Sequence, residues 1–297
     1  MNRPRSEERL VVIVLSFNKR AHTLRCLESV QRLHYRPREV IVVDNASSDG
    51  SPEAVERAYP EVRLLRSPVN LGAAGGRNLG LRWAREHLSY AYILFLDDDS
   101  VVDERLADEL VAAMRSDPRV GLATPKSYRS NSRDLIASAG GMRVRLGRGS
   151  ITDIGAGALD RGQFDRPGTV DSCVGFAVLG RRVALERCGG FDERYNPYGW
   201  EEVDLSLRVR EAGYTIRYVP TAVCWHAGGT PGRGHRVARY ERGKISNYLR
   251  LMARHASFRQ WLGFLGVLPI RIPGLLAAQL RSELDRRRSL REAASKA

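Results

Sequence analysis

The length and composition of the chain exclude an intrinsically disordered protein, because 297 residues that are 43% apolar and 28% charged can bury a sizeable core. The four cysteines exclude a disulfide framework, since they are few and widely spaced with no C-x-x-C pair, and they are typical of a reducing cytosol. The formal net charge of +14 is concentrated in residues 233–297, where fifteen lysines and arginines stand against four acids, so the basic character belongs to a C-terminal tail.

The first hundred residues alternate between apolar runs and segments with helical spacing. The apolar runs predict buried strands at Leu10–Leu15, Val40–Val43, Val62–Leu65 and Tyr92–Leu96. The segments between them predict helices at Arg20–Leu33, Ser51–Tyr59 and Gly72–Leu88. This alternation indicates an α/β fold with a mostly parallel central sheet and helices on both faces.

Polar residues follow three of these predicted strands. They are Ser16, Phe17, Asn18 and Lys19 after the first, Asp44 and Asn45 after the second, and Asp97, Asp98 and Asp99 after the fourth. Ligands of parallel sheets bind at the carboxyl ends of the strands, so these residues are candidates for a binding site. The first turn has no glycine and the chain has no P-loop sequence, which argues against a dinucleotide fold and a P-loop nucleotide site.

Three consecutive aspartates after a buried strand require compensation for their mutual repulsion. They could form an acidic loop or cap a helix that starts near Asp103, but Asp97 and Asp99 together favour a divalent metal site built of oxygen ligands. The glycines and Arg77 of the segment 70–78 are suited to a phosphate group, and beside a metal they indicate a nucleotide diphosphate. The alternative is that Gly75 and Gly76 only allow close packing of the helix on the sheet.

A second group of acids opens a predicted helix from Glu201 to Ala212, where Glu201 and Asp204 share a face and Glu202 projects beside them. One interpretation is a general base that takes a proton from an acceptor hydroxyl. The other is that acids in a first helical turn are favourable in themselves, with Arg208 as an ion-pair partner four residues after Asp204. The spacing alone does not separate the two.

Taken together, five motifs resemble family 2 glycosyltransferases of the GT-A fold. The motifs are Leu15–Asn18, Val43–Ser51, Asn70–Gly72 with Arg77 and Asn78, Leu96–Asp99, and Trp200–Arg208. The resemblance extends from about Val11 to Thr230. It implies an inverting, metal-dependent transfer of a hexose from a nucleotide-diphosphate sugar of the UDP or dTDP type. Within the family, the motifs most resemble those of enzymes that add rhamnose or related hexoses to cell-surface glycans on lipid carriers.

The resemblance also implies roles for individual residues. Asp44 would contact the nucleotide base, Asp97 would lie near the ribose, and Asp99 would bind Mg²⁺ or Mn²⁺. The nucleotide-sugar site would include Ser16, Phe17, Asn18, Asn45, Asn70, Gly72, Arg77 and Asp98 as well.

The catalytic base of the family lies in a Glu-Asp-x-Asp motif, which corresponds here to Glu201, Glu202, Val203 and Asp204. Glu202 replaces the family aspartate and is the predicted base, with Glu201 as the second candidate. His226 follows an apolar segment that resembles the strand end where related enzymes place a histidine on the metal. A lone histidine is more often structural, so this assignment depends on the resemblance.

The predicted organisation is a catalytic domain over 1–232, with a donor half near 10–100 and an acceptor half near 101–232, followed by a basic helical region over 233–297. Two apolar stretches, Gln260–Ile270 and Ile272–Leu280, are too short to span a bilayer. Four arginines follow them: Arg281, Arg286, Arg287 and Arg288. The tail could lie on an anionic membrane surface or pack as a helical hairpin on the catalytic domain.

The amino terminus places two glutamates ahead of its short apolar run, which is unlike a signal peptide, so we expect a cytoplasmic location. If the tail lies on a membrane, the location would be peripheral on the inner face. Two other functions remain alternatives. A sugar-nucleotide pyrophosphorylase would share the sheet and metal but should carry a glycine-rich basic loop after the first strand. A nucleic-acid-binding protein would explain the basic tail, but aromatic residues are few and the charge does not line a folded groove, so we expect no nucleic-acid partner.

Overall fold

The computed structural model describes residues 8–132, 134–197, 199–228 and 235–269. These residues form two compact units. The first contains the described parts of Met1–Arg143 and Thr152–Gly229, and the second contains Val144–Ile151 with the described part of Thr230–Ala297. The second unit therefore includes a short segment from the middle of the sequence.

The first hundred residues alternate between strands and helices, as the sequence predicts, with bounds within two residues of the prediction. The strands are β1 (Leu10–Ser16), β2 (Arg38–Asp44), β3 (Arg63–Arg66) and β4 (Tyr92–Asp97), and the helices are α1 (Arg20–Gln31), α2 (Ser51–Ala58) and α3 (Gly72–His87). β1 pairs in parallel with both β2 and β4. The register brings Ser16, Asp44 and Asp97 to the same edge of the sheet.

The remaining strands in the described part of the chain are β5 (Ser100–Val102), β6 (Val120–Arg129), β7 (Ile136–Ala139), β8 (Met142–Arg145), β9 (Ser150–Asp153), β10 (Gly168–Thr169), β11 (Ala177–Arg181) and β12 (Thr215–His226). The helices of this part are α4 (Leu106–Ser116), α5 (Arg182–Cys188) and α6 (Glu201–Glu211). The main sheet has the order β10-β12-β6-β11-β4-β1-β2-β3, with β5 beside β12 and β7 beside β6.

The sheet is mixed, whereas the sequence predicts a mostly parallel one. The difference arises at β11, which runs antiparallel to both β4 and β6. β11 enters the sheet at the edge where β4 ends, since Ala177 pairs with Leu96. β12 ends at that edge as well, because His226 pairs with Ser100 of β5. The reversal of β11 therefore brings the loop before it to the aspartates that follow β4. β12, which is parallel to β6, runs in the same direction as β4 and ends beside them.

Both faces of the sheet are buried under helices, which confirms the predicted α/β architecture. Alternate residues of β1 point to opposite faces, as the pleat of a strand requires. Val12 and Val14 pack in the core that contains Leu27 of α1, and Ile13 packs in the core that contains Leu81 of α3. A strand buried on both faces reads as a continuous apolar run, which is why β1 is evident in the sequence.

The glycines of α3 allow the close packing that the sequence analysis gives as an alternative to phosphate binding. A Cβ atom on Gly76 would lie 2.4 Å from Leu15 Cδ1, and one on Gly80 would lie 2.8 Å from Ile13 Cγ2. Gly72, at the start of α3, has a φ of +72°, and a Cβ there would meet Asn196 Oδ1 at 2.3 Å. These glycines are therefore required by the packing of α3 itself.

The second unit contains α7 (His235–His255) and a further helix, α8, over 258–269. Tyr248 and Trp261 both contact the ring of Phe264, and the Tyr248 hydroxyl donates a hydrogen bond to the carbonyl of Leu146. Among the described residues, no helix has the combination of length and apolarity that crossing a bilayer requires. The predicted apolar stretch Ile272–Leu280 and the four arginines after it lie outside the described residues.

Candidate active site

The candidate site lies where β1, β2, β4 and β12 end and where α3 and α6 begin. Three residues other than glycine have a left-handed backbone in the described part of the chain, and all three are here: Asn18, Ala46 and Trp200, with φ values of 52°, 65° and 72°. Such conformations are costly and concentrate at functional sites. Their position marks this edge of the sheet independently of any motif.

Asp99 is buried, and each of its oxygens faces a neighbouring nitrogen. Lys19 Nζ lies 2.8 Å from Asp99 Oδ2, and His226 Nε2 lies 3.1 Å from Asp99 Oδ1. Burial alone would raise the pKa of Asp99, but His226 and Lys19 outweigh it and hold that pKa well below its ordinary value. Asp99 is therefore an anion whose charge is already compensated in the protein alone.

Asp98 lies in the same turn and is also buried. Its Oδ2 accepts a hydrogen bond from the backbone N–H of Phe17 at 3.0 Å, and its Oδ1 lies 3.2 Å from Lys19 Nζ. Burial raises the pKa of Asp98 to about 6 against the opposing effect of Lys19. The two aspartates thus share one lysine.

Three side chains at this edge are close enough to hold one cation. A donor atom of Asp97, one of Asp99 and one of His226 all lie within 4.8 Å of one another. The His226 ring stacks on Phe176 with centroids 4.0 Å apart, which fixes the orientation of its nitrogens. Two carboxylates and an imidazole suit Mg²⁺ or Mn²⁺, so the residues present fit the predicted metal.

Lys19 lies at the first strand end named in the sequence analysis, but no role in the site is predicted for it there. Burial acts to lower the pKa of its ammonium, but Asp98 and Asp99 outweigh this and raise the pKa above its ordinary value. The sequence feature that could have predicted this contact is the position of Lys19 directly after Asn18, at the edge where the strand-end aspartates also lie. A cation at that position is expected to meet them.

Arg77 is buried, with 3% of its side chain exposed, and its guanidinium joins the two acid groups of the site. It lies 2.7 Å from Asp97 Oδ1 and 3.1 Å from Glu201 Oε1, and it donates to the carbonyl of Gly175 at 3.1 Å. Burial would lower the pKa of Arg77, but Asp97 and Glu201 raise it above its ordinary value. Without ligand, the arginine predicted to hold phosphate binds protein carboxylates.

The three acids of α6 have different surroundings. Glu201 is held by Arg77 and accepts a hydrogen bond from Gly199 N at 2.6 Å. Asp204 is fully buried, 2.7 Å from Arg208 Nε, and also accepts from the Tyr195 hydroxyl at 3.3 Å. Both oxygens of Asp204 are thus engaged inside the protein, as in the ion-pair alternative of the sequence analysis.

Glu202 differs from its two neighbours because no described residue forms an ion pair or a side-chain hydrogen bond with its carboxylate. Burial and the neighbouring charge of Glu201 raise its pKa well above the ordinary value of 4.5. The carboxylate lies beside the loop before β11, where a Cβ on Gly175 would be 3.7 Å from Glu202 Cδ. A raised pKa suits a group that takes up a proton near neutral pH.

The predicted nucleotide residues other than Arg77, Asp97 and Asp98 fall into two classes. Asn45, Asn70 and Gly72 bond one another: Asn45 Nδ2 donates to Asn70 Oδ1 and to the carbonyl of Gly72, both at 3.0 Å. Ser16 and Asn18 also have protein partners, since the Ser16 hydroxyl lies 2.9 Å from Thr23 Oγ1 and Asn18 Oδ1 accepts from Ser48 N at 2.7 Å. These residues shape the site.

Asp44 and Phe17 form the second class, because they retain capacity for a ligand. Asp44 accepts a hydrogen bond from Ser47 N at 3.2 Å through Oδ2, while its other oxygen is buried with no hydrogen-bond partner among the described residues. Phe17 is 40% exposed at the same edge. A buried carboxylate oxygen without a partner is costly, so Asp44 is suited to accept from a bound group.

Solved structures of glycosyltransferases share this fold. A mannosyltransferase from Pyrobaculum calidifontis in complex with GDP-Man and Mn²⁺ superposes with a TM-score of 0.60 and 22% identity, covering 91% of this chain and 75% of that one. GalNAc-T7 with UDP, GalNAc and Mn²⁺ superposes with a TM-score of 0.64 and 17% identity, covering 84% of this chain and 48% of that one. These similarities confirm the predicted GT-A fold.

Sequence comparison identifies the family. An N-acetylglucosaminyl-diphospho-decaprenol L-rhamnosyltransferase of Mycobacterium tuberculosis is 32% identical over 95% of this chain and 94% of its own. A poly-beta-1,6-N-acetyl-D-glucosamine synthase of Staphylococcus epidermidis is 24% identical over 73% of this chain and 50% of its own. The family model for glycosyl transferase family 2 matches residues 11–189, which contain the strand-end motifs described above. These matches favour the transferase over the pyrophosphorylase and nucleic-acid-binding alternatives, and the chain belongs to glycosyltransferase family 2.

Proposed function

We propose that this glycosyltransferase moves a hexose, with inversion, from a nucleotide-diphosphate sugar to a hydroxyl group of a lipid-linked glycan. The observation that carries the proposal is the link made by Arg77, which holds Asp97 of the candidate metal site and Glu201 at the start of α6. One guanidinium thereby sets the distance between the residues suited to the donor diphosphate and the helix that carries the candidate base. Such fixed relative placement is the main requirement for a direct displacement.

On the donor side, Asp99, His226 and Asp97 are the residues that would hold Mg²⁺ or Mn²⁺. The cation, when bound, supplies Lewis-acid stabilisation for the charge that develops on the leaving diphosphate. The buried Asp44 oxygen would accept a hydrogen bond from the nucleotide base, and uracil or thymine offers an imide N–H for it. These features support a donor of the UDP or dTDP type.

On the acceptor side, Glu202 is the proposed base. Its carboxylate has no described ion-pair partner, and its raised pKa suits proton transfer from a hydroxyl. Glu201 is bound by Arg77 and Gly199, and its proposed role is to position the arginine and to raise the proton affinity of Glu202. With the base opposite the leaving group, one displacement inverts the anomeric centre and needs no covalent intermediate.

The sugar and the acceptor are proposed from the mycobacterial relative. That protein is named as an L-rhamnosyltransferase acting on N-acetylglucosaminyl-diphospho-decaprenol, and the match runs over nearly the whole of both chains. We infer that L-rhamnose is the transferred hexose and that the acceptor is a hydroxyl of an amino sugar joined through diphosphate to a long lipid.

A test of the function uses the full chain with Mn²⁺ and a panel of nucleotide sugars that includes dTDP-L-rhamnose and UDP-N-acetylglucosamine. Binding of the correct donor at about 100 times its dissociation constant should stabilise the protein by about 2.7 kcal/mol, which a thermal-shift screen detects. Transfer to a lipid-linked N-acetylglucosaminyl diphosphate should then give a product whose anomeric configuration, measured by NMR, is opposite to that of the donor. Retention of configuration would contradict the displacement, and absence of transfer from every donor would contradict the function.

A lipid-linked acceptor also suggests attachment to a membrane surface, and the second unit carries a surface suited to it. Of the large apolar side chains that are exposed among the described residues, five belong to this small unit: Ile245, Leu249, Phe258, Leu262 and Leu265. The last three share one face of α8, and Phe258 is 76% exposed. Apolar residues beside the exposed Arg254 and Arg259 are typical of segments that lie in an anionic interface.

Sedimentation with vesicles tests the attachment. The wild-type chain should pellet with vesicles rich in phosphatidylglycerol, and a variant with Phe258, Leu262 and Leu265 changed to serine should remain largely in the supernatant. The matched control changes Leu159 and Val183, two exposed apolar residues of the first unit, to serine and should pellet like the wild type. A wild-type chain that stays in the supernatant at low salt would contradict the membrane proposal.

A further inference from the structure

Lys19 forms an ion pair with Asp99, the aspartate that the proposed metal site requires. Its ammonium lies 2.8 Å from Asp99 Oδ2 and 3.2 Å from Asp98 Oδ1. The other oxygen of Asp99 faces His226 at 3.1 Å. Oδ2 of Asp99 is therefore engaged by Lys19, while Oδ1, although it lies near His226, is buried with no hydrogen-bond partner among the described residues. A divalent cation would have to share this carboxylate with the positive charge of Lys19.

An ammonium and a divalent cation cannot both lie against Asp99 at low cost. Like charges a few ångströms apart repel strongly in a partly buried site, where the screening by water is weak. Without any cation, however, Asp98 and Asp99 would be two buried carboxylates with no counter-charge, which is also costly. Lys19 compensates the two aspartates in the protein alone. When a metal ion binds to Asp99, the ammonium of Lys19 has to move away.

The side chain of Lys19 is able to leave. It is 41% exposed and holds a single ammonium at the end of a flexible stem, whereas Arg77 is 3% exposed and bonds three acceptors. Asp98 would keep the hydrogen bond from Phe17 N after Lys19 had moved. The donor diphosphate, which the proposed function brings to the same edge, offers anionic oxygens as a new partner for the ammonium.

We infer that Lys19 is a tethered competitor of the divalent cation, which occupies Asp99 until the donor diphosphate draws the ammonium away. This inference rests on the proposed function, because it requires both the metal and a diphosphate at this edge. Its consequence is a coupling: the metal binds weakly to the protein alone and tightly with the nucleotide. Coupling between two ligands is reciprocal, so the metal strengthens nucleotide binding by the same factor.

The test measures Mn²⁺ binding to the full chain by electron paramagnetic resonance, with and without UDP, in the wild type and in Lys19→Met. Methionine keeps much of the stem and removes the charge. Without UDP, the variant should bind Mn²⁺ at least about tenfold more tightly than the wild type, within the usual range of coupling factors. With Mn²⁺ saturating, the variant should bind UDP more weakly than the wild type does. The Mn²⁺ dissociation constant without UDP, divided by that with UDP, should therefore be smaller in the variant than in the wild type.

Three further variants complete the test. Lys19→Gln keeps a polar group, should shift Mn²⁺ affinity in the same direction, and serves if Lys19→Met does not fold. Lys19→Arg keeps the charge and should behave like the wild type. Arg20→Met removes the charge of the exposed neighbouring residue and should leave Mn²⁺ affinity unchanged.

The outcomes separate the inference from the function on which it rests. Equal Mn²⁺ affinity of the wild type and the two neutral variants without UDP overturns the inference and leaves the metal site intact. An increase in Arg20→Met as large as in Lys19→Met also overturns it, because a general loss of positive charge would then explain the result. Absence of Mn²⁺ binding in every chain, with and without UDP, overturns both the inference and the metal part of the proposed function.

Discussion

The aspartates after β4 and the acids of α6 are two groups of three carboxylates that the protein compensates in opposite ways. Asp98 and Asp99 share a lysine that is 41% exposed, and only Asp97 of that group binds the buried Arg77. Glu201 and Asp204, in contrast, each bind an arginine that is at least nine-tenths buried. An exposed lysine can be exchanged for a ligand, and a buried arginine cannot. The first group is therefore suited to exchange its lysine for a metal ion while the lysine binds phosphate. In the second group Glu202, which has no ion-pair partner among the described residues, is suited to proton transfer.

The largest effect is expected from Asp99→Asn, which breaks the first group. The change should reduce transfer to background and abolish stabilisation by Mn²⁺ with nucleotide sugar, because an amide is a poor ligand for the cation and removes the charge that attracts it. Even residues that only orient metal ligands typically cost about 10–100-fold when changed. The measurements are a transfer assay and a thermal-shift assay on the same preparation.

Asp98→Asn is the matched control for that prediction. Asp98 accepts from Phe17 N and lies outside the three residues that share the candidate cation site, so its change should be milder. An equal loss in both variants, or full activity in Asp99→Asn, would show that Asp99 does not have the role proposed for it. Melting of both variants without ligand checks that each one folds.

The second prediction tests the acid left over in α6. Glu202→Gln should keep the affinity for the donor and lower kcat by about 10²–10⁴-fold, because the amide has nearly the same shape but cannot take up a proton. Isothermal titration with the nucleotide and a steady-state transfer assay measure the two quantities separately.

The pH profile sharpens this prediction. Since burial and Glu201 raise the pKa of Glu202, the base is protonated and inactive on the acid side, so kcat/KM should rise with pH with a midpoint well above the ordinary glutamate value of 4.5. The rise of kcat/KM with pH should disappear in Glu202→Gln. In Glu201→Gln the rise should shift to lower pH, because the neighbouring negative charge is removed. If Glu201→Gln abolishes turnover while Glu202→Gln stays active, the two roles are exchanged.

The third prediction concerns the ion pair between Asp204 and Arg208. Asp204→Asn should lower the free energy of unfolding by about 3 kcal/mol, because it leaves a buried guanidinium without its partner charge. Urea denaturation measures the loss. Glu28→Gln removes an exposed pair of the same i, i+4 spacing in α1 and should cost less than about 0.5 kcal/mol. A loss as small in Asp204→Asn would contradict a structural role for the buried pair.

The sequence predicts the strands, the ends of the strands and the local pair of Asp204 with Arg208, but it does not predict which charges meet across long stretches of chain. β1 is evident because a strand buried on both faces is a continuous apolar run, and Asp97 to Asp99 stand out because charges after such a run are unusual. The contact of Lys19 with Asp99 spans 80 positions and that of Arg77 with Glu201 spans 124, so neither leaves a local pattern. The antiparallel β11, which brings Phe176 under His226, is set by tertiary packing for the same reason.

The smallest effect is expected at Asp44, where each carboxylate oxygen has a separate function. Oδ2 accepts from Ser47 N, and the buried Oδ1 is the proposed acceptor for the imide N–H of uracil or thymine. Asp44→Asn provides only one acceptor and so cannot satisfy both donors. The loss of one charge-assisted hydrogen bond costs about 1.5 kcal/mol, so UDP should bind about tenfold more weakly, with kcat at saturating donor retained.

CDP provides the discriminating comparison, because cytosine has an acceptor where uracil has the imide N–H. The wild type should therefore prefer UDP, and Asp44→Asn should narrow that preference, since its NH₂ group can donate to cytosine. Equal binding of UDP and CDP by the wild-type protein would show that Asp44 does not face the base.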